Sequence, residues 1–194
     1  MPDPLGWTLR ADAYRITGTM SWSSVLRQLV AGETYAYVFW MRICAHLQTA
    51  GVPRPLLLPA RLVLRRLRYR MGINLPYVTA VGPGLLVGHA GGIVVNAAAV
   101  IGRNCNLSHN VTIGSTKGDR TGVPSIGDNV YLGPGAVLVG AIHIGDGVSV
   151  GANSVVVDDV PDGVTVAGAP ARVVSRSGSS AWVNRTDYAG PPSR

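Results

Sequence analysis

The four histidines are the side chains best suited to moving protons near neutral pH. His89 stands apart because it lies in the run Gly88-His89-Ala90-Gly91-Gly92, where backbone without side chains lets a second molecule approach closely. A histidine so placed can exchange a proton with that molecule, the task of a general acid or base. The competing reading of any lone histidine is a surface or satisfied core residue. His109 follows the apolar Leu107 by two positions and reads equally as a pocket wall or a hydrogen-bonded structural residue. His143 ends a repeat and is expected to point outward, and His46 falls in a helical stretch. No two histidines stand in an H-x-x-x-x-H spacing, and a catalytic zinc needs three protein ligands, so no metal is expected.

What must position these residues is visible as a six-residue period. Ile126, Leu132, Leu138, Ile144, Val150 and Val156 fall at an unbroken spacing of six, and Gly127, Gly133, Gly145 and Gly151 follow four of them. A helix repeats its apolar residues every three to four positions and an ordinary strand every two. A period of six with glycine fits one short strand and one turn per repeat, stacked as a parallel β-helix. The register extends upstream through Val95, Ile101, Leu107 and Ile113 to an earlier pair, Val81 and Val87. Four places after the anchors, Cys105, Val111, Val130, Ala136, Ile142, Val148 and Ser154 are small enough to share a tight interior.

The period fails in two places. Thirteen positions separate Ile113 from Ile126, so Gly114 to Ser125 leaves the coil as a loop. A smaller slip between Val87 and Val95 contains His89 and its glycines. Solenoids place insertions on one face, often the binding face, and the two irregularities are expected to frame one site.

Residues 1–72 carry ten Arg against Asp3, Asp12 and Glu33, so the whole formal charge of +7 lies in this head and residues 73–194 are neutral. Arg61, Arg65, Arg66, Arg68 and Arg70 invite a nucleic-acid or membrane-surface reading. The interleaved Leu62, Val63, Leu64 and Leu67 instead suggest an amphipathic helix with solvated or partner-facing arginines, and no nucleic-acid partner is expected. Three helices are predicted: one capped by Ser21 and ended by Gly32, one from Glu33 to Ala50, and one from Arg61 to Met71 closed by Gly72. No apolar run approaches the roughly 20 residues of a membrane span, and no signal-peptide layout opens the chain. Cys44 and Cys105 belong to different segments and read as reduced thiols of a cytoplasmic protein. The predicted organisation is a basic helical head over 1–72, a coil over 73–174 and a flexible tail over 175–194, the last from its Ser, Gly and Pro content.

Gly88 to Val95, GHAGGIVV, is similar to the DHATG-IVV of bacterial serine acetyltransferases, and Asn106 to Gly114, NLSHNVTIG, to their ILQSVTLGG. Gly118-Asp119-Arg120 matches the start of their GDRHP, and the coil closes on AGAPARVV, Ala167 to Val174. In the head, Leu9 to Arg15 and Phe39 to Cys44 add to the likeness. On these residues the chain resembles the serine acetyltransferases and their relatives in the hexapeptide acyltransferase superfamily.

The resemblance implies a mainly β fold, a left-handed parallel β-helix of hexapeptide repeats behind an N-terminal α-helical region. It implies acetyl-CoA-dependent transfer to the hydroxyl of a small acceptor, serine, a related amino acid or a sugar, by direct attack with His89 as base. Asn74 stands where the family has the Asp that orients the catalytic His, and Gly88 stands where it has a second Asp. Arg120 is the expected carboxylate contact, with His109 lining the acceptor pocket, although the His of GDRHP is replaced here by Thr121. For coenzyme A the implied contacts are Gly133, Gly151, Ala152, Ala169 and Arg172, with Lys117 toward a phosphate. A homotrimer is implied, paired into a dimer of trimers through the heads. Family members that dock onto O-acetylserine sulfhydrylase do so through a C-terminal Ile; here the sequence reads Gly190 to Arg194, and no cysteine synthase complex is expected. A catalytically silent trimeric scaffold is the alternative.

Overall fold

The computed structural model describes residues 3–117 and 121–191. Four helices come first: α1 (Leu5–Thr17), α2 (Trp22–Ala31), α3 (Tyr35–Thr49) and α4 (Arg54–Met71). The sequence reading missed α1, which runs from Pro4 to a left-handed Gly18. Ser21 caps α2 as expected, its Oγ accepting the Ser24 N–H at 3.1 Å. Helix α3 begins two residues later than expected, since Gly32 is extended and Thr34 is the cap residue; Glu33 therefore lies in the turn. Helix α4 begins seven residues early. Pro55 sits in its first turn, where no N–H partner is due, and the internal Pro59 costs one ladder bond close to the helix start.

The coil rises in turns of three strands. The first turn is β1 (Ile73–Asn74), β2 (Ala80–Val81) and β3 (Leu86–Val87); the second is β4 (Ile93–Val95), β5 (Val100–Ile101) and β6 (Asn106–Leu107). The third is β7 (Thr112–Gly114), β8 (Ser125–Ile126) and β9 (Tyr131–Leu132); the fourth is β10 (Val137–Val139), β11 (His143–Ile144) and β12 (Ser149–Val150). Then come β13 (Val155–Val156), β14 (Thr165–Gly168) and β15 (Ala171–Ser175), the last folding back antiparallel on β14. Three sheets result, ordered β1-β4-β7-β10-β13, β2-β5-β8-β11 and β3-β6-β9-β12-β14-β15. The parallel three-sheet coil is the one the six-residue repeat predicts, and it is the left-handed β-helix that the resemblance implies. The predicted anchors stack in register: Val81 on Ile101 and Ile126, Val87 on Leu107 and Leu132, Val95 on Ile113. Their small companions, from Cys105 to Ser154, are buried with them, and burial pushes the Cys105 thiol up to about 12.

Head and coil share one core. Tyr37, Val38, Met41, Cys44, Ala60 and Leu64 pack with Ile73, Leu75 and the anchors above. Only Leu57, Ala60 and Leu64 of α4 are fully buried, while Leu58, Leu62 and Val63 face outward among the arginines. Three buried charges make the junction specific. Asp12 receives Arg42 Nε at 2.9 Å and the Leu85 N–H at 2.9 Å. Arg42 also donates to the Val81 and Gly82 carbonyls, at 2.6 and 2.7 Å. Arg15 donates to the Gly84 carbonyl and to Asn106 Oδ1. Burial pushes the Asp12 carboxyl up while the Arg42 guanidinium opposes it.

The tail differs from the expected flexible segment. Ser179 donates its N–H to the Gly147 carbonyl, Trp182 stacks on Tyr131 with ring centroids 5.0 Å apart, and Val183 is buried. Asn184 accepts from Arg15, Asp187 accepts from the Tyr14 hydroxyl, and Tyr188 packs edge-on to Trp7 and Tyr14. The segment is thus a strap from the coil edge to α1. Its two aromatic rings and its backbone carbonyls do this, features that the polar composition around them masks.

Two consequences are measurable. Asp12→Ala leaves Arg42 buried without its counter-charge and should cost about 3–5 kcal/mol in urea unfolding. Ending the chain at Ser175 removes the Trp182 stack, the Val183 burial and one Arg15 partner, about 2–3 kcal/mol together; the thermal midpoint should fall by roughly 5–10 °C.

Candidate active site

The site is built where β3 hands over to β4. Gly88 continues the ladder, its N–H donating to the Leu107 carbonyl at 2.9 Å. The chain then swings outward through His89 and Ala90 and is pinned again when the Gly91 N–H reaches the Met71 carbonyl at 2.8 Å and the Ile93 N–H reaches Gly72 at 3.1 Å. Glycine is required in this bulge: Gly91 and Gly92 have φ of 109° and 65°, and a Cβ on Gly92 would collide with the Asn110 side chain. Gly88 is different, since a Cβ there meets only the Leu107 carbonyl at 3.9 Å. The two extra residues of the slip are therefore spent on presenting His89, whose side chain is 68% exposed.

His109 occupies the equivalent corner one turn on, after β6, and its ring stands edge-on to that of His89 with centroids 6.1 Å apart. The coenzyme candidates continue the same column. Gly133 follows β9, Gly151 and Ala152 follow β12, and Ala169 follows β14. With about 4.8 Å between hydrogen-bonded turns, this corner column extends on the order of 20 Å from the imidazole. Ala152 and Ala169 are exposed on it. Gly133 has a packing reason to be glycine, since a Cβ would press on the Val150 carbonyl at 2.7 Å. Arg172, in β15 at the far end, approaches Asp158 at 3.6 Å and donates to its neighbour's carbonyl.

Two expected members stand elsewhere. Asn74 forms no hydrogen bond with His89 among the described residues; it lines a separate cleft of 390 Å³ with Tyr37, Arg61, Arg65, Arg68 and Tyr77. The group facing His89 is Glu33, which sequence reasoning passed over as a helix-starting residue. Its Oε2 lies 3.4 Å from His89 Nδ1, and its Oε1 accepts the Ala90 N–H at 3.3 Å. The available signal was that Glu33 is the only glutamate in the chain. Lys117 is exposed in the loop after β7, whose base is closed by a Thr116–Gly122 bridge. Arg120, with Gly118 and Asp119, lies outside the described residues. The slip enters the first sheet before β4 and the loop leaves it after β7, so within one chain the two irregularities stand at opposite edges of one sheet.

Residues 124–158 match the family model described as bacterial transferase hexapeptide (six repeats). The serine acetyltransferase of Helicobacter pylori strain J99 is 36% identical over 137 residues, 69% of this chain and 79% of that protein. The chain belongs to the serine acetyltransferase family. It is a hexapeptide-repeat O-acetyltransferase, and its fold agrees with solved members. Neisseria gonorrhoeae serine acetyltransferase in complex with serine superposes with a TM-score of 0.72 at 31% identity, covering 87% of this chain and 68% of that one. The Brucella abortus serine acetyltransferase in complex with coenzyme A gives 0.72 at 29% identity, covering 88% and 68%.

The bulge gives its own test. Gly92→Ala meets both a positive φ and the Asn110 side chain and should lose about 1–3 kcal/mol of stability, whereas Gly88→Ala should melt within 1–2 °C of the parent, about 0.5 kcal/mol. Thermal melts of the two variants compare them directly.

Proposed function

We propose that this chain transfers the acetyl group of acetyl-CoA to the hydroxyl of a small acceptor, L-serine first and related hydroxy amino acids or sugars next. The observation that carries the reading is the exposed His89, held out on its glycine bulge at one end of a continuous corner column. The acceptor hydroxyl attacks the thioester carbonyl while His89 Nε2 takes its proton. The tetrahedral intermediate then collapses, the C–S bond breaks, and the departing thiolate recovers that proton. No covalent enzyme intermediate is needed.

The column gives each end a task. His109, beside His89, bounds the acceptor side. Toward the other end, exposed peptide groups at Ala152 and Ala169 suit the extended amide arm of coenzyme A, with Arg172 and Lys117 supplying charge for its phosphates. Arg120, in the loop, is the proposed contact for an acceptor carboxylate. Because loop and bulge stand at opposite sheet edges, a trimer in which one copy's loop faces its neighbour's bulge completes the site. Among the described residues no helix is long and apolar enough to cross a membrane.

Thiol release from acetyl-CoA, measured across serine, homoserine and sugars, tests the reading. Loss of a positioned general base costs about 100- to 10,000-fold, so His89→Ala should lose that much turnover with acetyl-CoA affinity nearly unchanged. His109→Gln should remain active. No thiol release with any acceptor would favour the scaffold, and an active His89→Ala beside an inactive His109→Gln would exchange their roles.

A further inference from the structure

We propose that Glu33 is the positioning residue for His89, a carboxylate supplied by the helical head in place of one from the coil. The inference rests on His89 as the base. Both carboxylate oxygens are engaged on the bulge, one toward His89 Nδ1 at 3.4 Å and the other on the Ala90 N–H at 3.3 Å. A side chain anchored at both oxygens has less freedom to rotate away than a single exposed contact allows. The backbone beneath it is fixed as well. Thr34 is buried and its Oγ1 donates to the Val87 carbonyl at 2.5 Å, two residues before His89, while the Gly32 N–H is held by the Gln28 carbonyl at 2.9 Å. The turn carrying Glu33 is therefore tied to the strand carrying His89.

The chemistry follows from the proton inventory of imidazole. A neutral histidine has one N–H and one acceptor nitrogen. With a carboxylate at Nδ1 the N–H belongs there, and Nε2 keeps the lone pair that an attacking hydroxyl needs. As the proton arrives at Nε2 the ring becomes positive, and Glu33 is the negative charge beside it. Asn74 cannot do this from its separate cleft, and Gly88 carries no side chain. Two open positions in the coil are thus answered by one residue of the head.

The test reads the ring directly. In protein with 15N-labelled histidine, the His89 nitrogens at pH 8.5 should show the Nδ1–H tautomer in the parent. Glu33→Ala should shift them toward the Nε2–H tautomer and lower kcat on the order of 10- to 100-fold, less than loss of the base itself, with KM for acetyl-CoA within about twofold. Glu33→Gln, whose side-chain carbonyl still accepts a hydrogen bond, should keep the tautomer and recover part of kcat, separating orientation from charge; it also serves if Glu33→Ala folds poorly. Parent-like 15N shifts and a kcat within about threefold in Glu33→Ala would overturn the proposal whether or not His89→Ala is inactive. A shifted tautomer in Glu33→Ala together with an active His89→Ala would uphold the contact and overturn the reading of His89 as the base.

Discussion

Strands of two or three residues cannot persist alone; in this coil each takes its hydrogen bonds from the neighbouring turns, and each places one apolar side chain against a shared interior. That double requirement leaves no room for an inserted residue within a strand. Any addition must be expelled at a corner, as happens between Val87 and Ile93 and again between Gly114 and Ser125. The rigid stack therefore confines insertions to its corners, and the candidate site residues stand there. The same logic aligns His89, His109, Gly133, Ala152 and Ala169, which share the corner after the same sheet on successive turns.

The open first turn of such a coil presents unpaired carbonyls, and the head answers them with charge. Arg42 takes the Val81 and Gly82 carbonyls and Arg15 takes Gly84, while Asp12 neutralises Arg42 and receives the Leu85 N–H. Buried ions of this kind add little net stability but penalise every misaligned arrangement. The head is accordingly set in one orientation. Its turn at Glu33 and Thr34 is carried to the exit of β3, beside the imidazole. The tail strap supports the same junction from outside, through Arg15, Tyr14 and Trp7.

An exposed imidazole gains little from an exposed carboxylate in energetic terms, so the value of the pairing is directional. It fixes which nitrogen faces outward on a surface where the ring could otherwise turn freely. The glycines that leave His89 exposed also remove the neighbours that would have oriented it. Orientation has to come from another element, and the head is the element in reach.

The six-residue period determined a parallel β-helix by itself, though not its hand, because an interior that admits one side chain per strand writes its spacing directly into the sequence; Val87 through Val156 are buried as assigned, and Val81 is half-buried against them. The same period located the bulge at His89 and the loop after Ile113, since an interruption is visible wherever the beat is regular. Helix ends in the head were less legible: α4 was expected from Arg61 and starts at Arg54, the added turns burying Leu57 and packing Ala60 on the core. Asn74 was placed by alignment with relatives, and alignment carries no direction for a side chain. The pairing of Glu33 with His89, fifty-six residues apart, and the return of Trp182 and Tyr188 onto the coil and α1 left no periodic trace. Such contacts depend on the docking angle of the head, which the buried charges of Asp12, Arg15 and Arg42 set only once the chain has folded.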